Sequence, residues 1–431
     1  MAACLSAFFQ ILLMVFLDVP MNIHLLHPLD STTQEVSFKA LPPLSLYIHI
    51  PWCVRKCPYC DFNSHEAREA LPEQEYVAAL VRDLELALPQ IWGRKVYTVF
   101  IGGGTPSLFS AQAMEQILSA VRMLLPLDHG AEITLEANPG TVEADKFAGF
   151  RDAGVNRLSL GIQSFNDTHL KALGRIHDAS QARRAVEIAQ QHFANINLDL
   201  MYGLPQQTQA EAAQDVHAAL EFAPQHLSCY NLTLEPNTLF HRYPPALPDD
   251  DLCSAMQQDI EQILSMHGYQ HYETSAFAQP KKQARHNLNY WQFGDYLGIG
   301  AGAHSKLSFP DKVLRQMRYK QPQAYLQQVA QGLPVQTEHT VKREDLPFEF
   351  MMNALRLNQG FADALFAERT SLSLLLIRRE LEQAEQRGLL ERGLQRIAPT
   401  ELGRRFLNDL LQIFCASKVV WNCQPAMTRG F

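Results

Sequence analysis

From Leu44 to about residue 310, short runs of apolar and β-branched residues alternate with longer stretches whose apolar positions recur at helical spacing. The short runs are LSLYIHI (44–50), VYTVFI (96–101), EITLEA (132–137), RLSLGI (157–162), INLDLM (196–201) and HLSCYNLTL (226–234), and they read as strands. Between the first two, Val77, Leu80, Val81, Leu84 and Leu88 mark one face of a helix, and Met114, Ile117, Leu118 and Val121 do the same before the third. Thr208 with Glu211 three residues on predicts a capping box opening the helix before the sixth strand. Strand and helix in strict alternation predict an α/β fold with a parallel sheet. Six such steps without a dinucleotide fingerprint predict a partial (β/α)6 barrel rather than a Rossmann sheet.

Near residue 310 the alternation stops, and from about Pro347 the pattern turns helical, which divides the chain into a core of 44–310 and a second domain of 311–412. The end of that domain reads as a helix stopping at Gly388, a short apolar run, a turn at Arg392 and Gly393, the run Leu394 to Ile397, and a helix opening at Thr400. Helix, hairpin, helix predicts a C-terminal, mostly helical, winged-helix-like domain. Residues 413–431 have no period and read as an irregular tail. Residues 1–43 read as an apolar extension outside the fold. Its apolar stretch, Leu5 to Leu17, is shorter than the ~20 residues a spanning helix needs, and no Lys or Arg precedes Lys39. An accessory extension and a peripheral membrane contact are the two readings that remain.

Composition narrows the chemistry. A chain of 431 residues with a net charge of -8 has no overall field for nucleic acid or an anionic membrane. Arg378, Arg379, Arg387, Arg392, Arg396, Arg404 and Arg405 give the C-terminal module a local basic cast, but winged-helix modules also serve as packing lids, and nucleic acid is not the expected partner. Eight cysteines are too sparse over this length for a disulfide scaffold. A reducing cytoplasm is the expected location. Three of the eight, Cys53, Cys57 and Cys60, fall in IPWCVRKCPYC as C-x3-C-x2-C directly after the first strand.

Thiolates so closely spaced can wrap one cuboidal iron–sulfur cluster and leave one iron without a protein ligand. The alternative is a tetrahedral zinc site, for which Asp61 or His65 would supply the fourth ligand. IGGGTPS at the end of the second strand adds backbone amides that a ligand can approach closely, since Gly102, Gly103 and Gly104 carry no side chain.

The cysteine motif, together with the glycine turn at the next strand, resembles the radical-SAM superfamily. The resemblance implies a 4Fe-4S cluster held by Cys53, Cys57 and Cys60. S-adenosyl-L-methionine then chelates the open iron, and its one-electron reduction yields a 5′-deoxyadenosyl radical. LYIHIPWC, GGGTPS, LEANPG, LSLGIQSF, LGRIHD, LDLMYGLPQQT and HNLNYW occur in the order of the coproporphyrinogen oxidase-like branch, and that resemblance covers residues 44 to 412. By motif position it implies S-adenosylmethionine contacts from Tyr47, Gly103, Gly104, Thr105 and Glu136. Gln163, Arg175 and Asp199 match positions that serve a second S-adenosylmethionine in the oxidases. Tyr59, between two cysteines, is expected to line the cofactor. Each has a plainer reading beside it: Tyr47 as a core aromatic, and Arg175 as a salt-bridge partner of Glu136 and Asp199.

Two subgroups of the branch differ at one position. The oxidases extend the motif to C-x3-C-x2-C-x-C, and here the last position is Phe62. HNLNYW resembles the HNxxYW of the haem-chaperone subgroup, which makes His286 a candidate haem-iron ligand beside Tyr290 and Trp291; His304 in GIGAGAHS is a second candidate. The resemblance therefore implies a haem chaperone that binds haem, a 4Fe-4S cluster and S-adenosylmethionine, and passes haem to an acceptor protein. The alternative is an oxygen-independent coproporphyrinogen III oxidase or another radical enzyme acting on a tetrapyrrole.

Overall fold

A computed structural model describes residues 36–67, 69–141 and 144–415. The expectations for 1–35 and 416–431 lie outside the described residues. Strand β1 (Leu44–Ile50) is buried along nearly its whole length, as a strand covered on both faces must be. It is followed by a two-residue pair, β2 (Trp52–Cys53) with β3 (His65–Glu66), that brackets the cysteine segment. The other predicted strands are β4 (Val96–Gly103), β5 (Leu127–Ala137), β6 (Arg157–Gln163), β7 (Ile196–Tyr202) and β8 (His226–Asn231). They pair in parallel and in chain order, β1-β4-β5-β6-β7-β8, with a helix in each crossover. The capping box forms as the sequence predicts, Thr208 accepting from the Glu211 N–H while Glu211 reaches back.

The sheet runs on past these six. After β8 it gains the antiparallel strands β9 (Gln270–Glu273) and β10 (Ala276–Ala278). On the other side of β1 lie β11 (Asp295–Ile299), parallel to it, then β12 (His304–Ser308), β13 (Val313–Arg318) and β14 (Val335–Thr340), all antiparallel. The ladder is open, with β14 and β9 at its edges. A break at residue 310 is therefore not where the sheet ends. Ser308 pairs with Val313, and Phe309 N–H donates to the Lys312 carbonyl, so 309–312 is the turn of a hairpin. The alternation stopped there because antiparallel strands need no crossover helix.

A second core begins at Val341 and gathers Leu346, Phe350, Phe361, Phe366, Leu381, Ile397 and Leu410. It carries a three-stranded sheet of β15 (Phe361–Ala362), β16 (Leu390–Arg392) and β17 (Arg396–Pro399), in the order β15-β17-β16. Helix 378–386 ends before Gly388, whose φ is +68°, and Thr400 caps the helix after the hairpin by accepting the Gly403 N–H. Helix, hairpin and helix thus keep the winged-helix-like order.

The extension is not wholly outside the fold. Phe38 is buried in this second core, its N–H donates to the Pro310 carbonyl, and Ser37 exchanges hydrogen bonds with Ser371. The tail likewise contributes, since Phe414 is buried there. Among the described residues no helix is long and apolar enough to cross a membrane.

Candidate functional site

The carboxyl ends of the parallel strands gather nearly every residue singled out from the sequence. Cys53 closes β2, and the loop to β3 carries Cys57 and Cys60; Cys60 N–H donates to the Cys57 carbonyl, and Ala67 N–H to that of Cys53. Cys60 Sγ lies 3.7 Å from Ser64 Oγ. All three cysteines are free and partly buried. Burial raises the Cys60 thiol to about 12 and also raises Cys53, against a hydrogen bond from Thr105. Burial thus favours the neutral thiol at Cys53 and Cys60, and binding a metal there would displace those protons. Among the described residues no three His, Cys, Asp or Glu side chains converge tightly enough for one ion. A cuboidal cluster offers a separate iron corner to each thiolate, so its ligands stand wider apart than those of a zinc ion.

Beside this loop the glycine turn ends β4. Gly104 N–H donates to the Ile50 carbonyl and Thr105 N–H to that of Trp52, each at 2.7 Å, stitching the turn to the cysteine strand. A Cβ on Gly104 would stand 2.4 Å from the Trp52 oxygen, and one on Gly103, where φ is +116°, would stand 2.5 Å from the His49 ring. Only glycine fits both places. Gly103 N–H donates to Glu136 Oε2 at 3.1 Å from the neighbouring β5. Burial lifts the Glu136 carboxyl to about 7. Tyr47 points from β1 into the same region, its hydroxyl 2.9 Å from His49 Nδ1 and its ring stacked on Phe100.

Arg175 completes the rim. Its Nη1 lies 3.6 Å from Cys57 Sγ, and Nη2 donates to the Gly161 carbonyl at 2.8 Å, while Nε is buried without a hydrogen-bond partner. It does not bridge Glu136 and Asp199, the plainer reading of the sequence. Asp199 is occupied instead by Ser159 and Asn197, at 3.0 and 2.8 Å. Gln163 closes β6 with φ +70°, and its amide lies close to Gly161. A cleft lined by Val54, Arg55, Cys57, Thr105, Asn138, Arg175 and Ile176 opens beside the loop. Tyr59 packs its ring on Phe240 and against an apolar cluster of Leu173, Met201, Leu204 and Leu232, while its hydroxyl meets the Arg175 guanidinium beside Cys57 and Cys60. The cysteines, glycine turn, Glu136 and Arg175 fit a cluster with a ligand on its open corner: thiols on one side, amides and a carboxyl on the other.

His286 does not join this group as a haem ligand would. It is 1 % exposed, with Nδ1 2.8 Å from Thr98 Oγ1 and Nε2 2.8 Å from the Tyr290 hydroxyl. Burial, with the positive charge of Arg157, lowers its pKa to about 3. Both ring nitrogens are engaged, so an iron could bind only after one of these bonds is broken. His304, at the start of β12, is likewise held neutral by burial, with a pKa near 3.

Several positioning residues escaped the sequence reading. His49 Nε2 meets the Asn63 carbonyl at 2.8 Å, and Asn63 Nδ2 donates to Ala301 and Lys320 carbonyls, tying the cysteine loop to the GIGAGA turn. Tyr76 donates to the His49 carbonyl and accepts from Ala301 N–H. Asp83 anchors the same turn through Gly300 N–H and is paired with Arg318 at 3.1 Å. The adjacency of Asn63 to the motif was a signal; the distant partners were not.

Residues 47–219 match the Radical SAM superfamily, and 341–406 match the HemN C-terminal domain. The "Heme chaperone HemW" of Escherichia coli (strain K12) is 50 % identical over 378 residues, 87 % of this chain and 99 % of that protein. The chain belongs to the HemW family. The Haemophilus influenzae HemW is 48 % identical, covering 87 % of this chain and 98 % of its own length. Among solved structures, the coproporphyrinogen III oxidase (HemN) of Escherichia coli, described as a radical SAM enzyme, superposes with a TM-score of 0.75. It is 25 % identical, covering 87 % of this chain and 90 % of that one. The HemN C-terminal match opens at 341, where the second core begins.

Proposed function

We propose that this chain is a cytoplasmic haem chaperone, which binds haem together with a 4Fe-4S cluster and S-adenosylmethionine and hands the haem to an acceptor protein. The observation that carries the reading is the near full-length identity to HemW chaperones, in a chain whose cysteine motif ends at Phe62. In this reading Cys53, Cys57 and Cys60 hold the cluster. Tyr47, Gly103, Gly104, Thr105 and Glu136 contact S-adenosylmethionine, with Tyr59 backing the loop. Gln163, Arg175 and Asp199 border the same space, and Arg175 also fixes the cysteine loop.

When bound, the cluster and S-adenosylmethionine supply one-electron reductive chemistry. The chain's own part is to orient and exclude. Gly103 N–H holds the Glu136 carboxyl in place, and that carboxyl, poised near neutral pH, can accept a hydrogen bond from a ligand ammonium as the carboxylate or donate its proton to a ligand amine as the acid. Arg175 places positive charge beside a sulfur ligand and lowers the net negative charge of the loop.

The test is to reconstitute the cluster anaerobically and titrate haem. One haem per chain, transfer to a haem-free acceptor and no turnover of coproporphyrinogen III are expected. Turnover of coproporphyrinogen III with S-adenosylmethionine under reducing conditions would overturn the reading. That enzyme reading is favoured by the structural similarity to the oxidase, and the assay separates the two.

A further inference from the structure

Arg157 opens β6 at the end remote from the cysteine loop, six residues and roughly 20 Å of strand from Gln163. It is 1 % exposed. Among the described residues it has no ion-pair partner, and its Nε and Nη2 have no hydrogen-bond partner. Thr134, its register partner on β5, is fully buried, and its hydroxyl is equally unpartnered.

The surrounding polar groups are committed to one another. Asn197 binds Ser159, Asp199, Ser228 and His226; His226 Nε2 meets the Tyr272 hydroxyl; and His286 is held between Thr98 and Tyr290. Both histidines are held neutral by burial, so neither adds charge nor balances it. Asp199 gives both oxygens to Ser159 and Asn197, and Glu136 Oε2 is engaged by Gly103. Glu136 feels the Arg157 charge but makes no ion pair with it, so among the described residues the guanidinium is enclosed without a carboxylate on its Nε–Nη2 edge, a costly arrangement. Water can satisfy its N–H groups but cannot balance its charge. Nε and Nη2 lie on one edge of the guanidinium, the fork that grips two oxygens of a planar anion at once.

We propose that the barrel interior binds a small planar monovalent oxyanion, of formate or bicarbonate size, held by the Arg157 Nε–Nη2 fork and the Thr134 hydroxyl. The site is separate from the cysteine loop and independent of the haem reading. Its anion neutralises the floor of the barrel, in which the strands carrying the candidate cofactor residues are rooted.

The test uses the full chain with formate as probe and pivalate, too bulky to enter, as the control at equal concentration. Formate is expected to raise the thermal midpoint of the wild-type chain by about 2 °C relative to pivalate. Arg157→Lys, which keeps the charge but loses the fork, and Arg157→Met should abolish that difference. Equal responses to the two anions, or a formate response that survives in Arg157→Lys, would overturn the proposal. Should neither variant fold, a crystal structure of the wild-type chain grown in formate decides it. Three-atom planar density across Nε and Nη2 supports the site, and water alone overturns it.

Discussion

Arg175 Nη1 stands 3.6 Å from Cys57 Sγ while Nη2 of the same guanidinium donates to the Gly161 carbonyl, so one side chain ties the cysteine loop to β6. A hydrogen bond to a charged group contributes about 1.5–3 kcal/mol, roughly ten-fold or more in an equilibrium. Arg175→Gln should therefore fold but retain less than half the iron of the wild-type chain after gel filtration. Arg175→Lys should recover part of it. Wild-type iron content in the Gln variant would show that the loop holds itself.

The glycine turn is less forgiving. At Gly104 the atom met by an added Cβ is the Trp52 carbonyl, which is backbone and itself accepts the Thr105 N–H. Gly104→Ala must push β4 away from the cysteine strand. We expect a loss of about 2–4 kcal/mol in urea unfolding of the cluster-free chain, with loss of S-adenosylmethionine binding after reconstitution.

Stability of the cluster-free chain should carry the signature of Glu136. Its carboxyl titrates near 7 in the fold and at about 4.5 when exposed, so between these values the folded chain keeps a proton that the unfolded chain has lost. Stability then falls as pH rises through that window and levels off above 7. Glu136→Gln removes this term, and the stability gained over wild type should grow from near zero at pH 4.5 to a few kcal/mol, at most ~3, at pH 7.5. A constant difference across the window would place Glu136 in water.

The parts of the molecule legible in the sequence are those whose reason is local. β1 and β7 announce themselves because Leu or Ile recurs at every second position, Leu44, Leu46, Ile48 and Ile50 in β1 and Ile196, Leu198 and Leu200 in β7, and the Thr208 box needs only its own four residues. The cysteine spacing is likewise local. His49, Asn63 and Asp83 were not legible, because their partners at Gly103, Ala301 and Arg318 come from distant elements. β12 and β13 were misjudged at the domain boundary, since a hairpin breaks the helix–strand alternation without ending the sheet.

Phe38 illustrates the same limit from the other side. It precedes any periodic pattern, yet it fills the second core and is tied to Pro310 through its backbone. Phe38→Ala should cost about 3–5 kcal/mol, the range for an aromatic removed from a packed core. Limited proteolysis should then cut within 341–415 before it cuts the sheet. An unchanged cleavage pattern would mean that the segment adds nothing to that core.

His286 separates a packing role from a ligand role by its titration. Its ring titrates near 3 in the fold and near 6.5 when exposed, so as pH falls from 6.5 the unfolded chain gains a proton that the folded chain refuses. Its contribution is thus present above 6.5 and is lost progressively below. His286→Gln has no such titration and should flatten the fall in stability between pH 6.5 and 4.5, measured by urea unfolding. His286→Ala strands the Thr98 and Tyr290 hydroxyls in a buried site and should cost about 2–4 kcal/mol at pH 7. If the ring instead stood free for an iron in the haem-free chain, its pKa would sit near 6.5. Neither variant would then alter the slope.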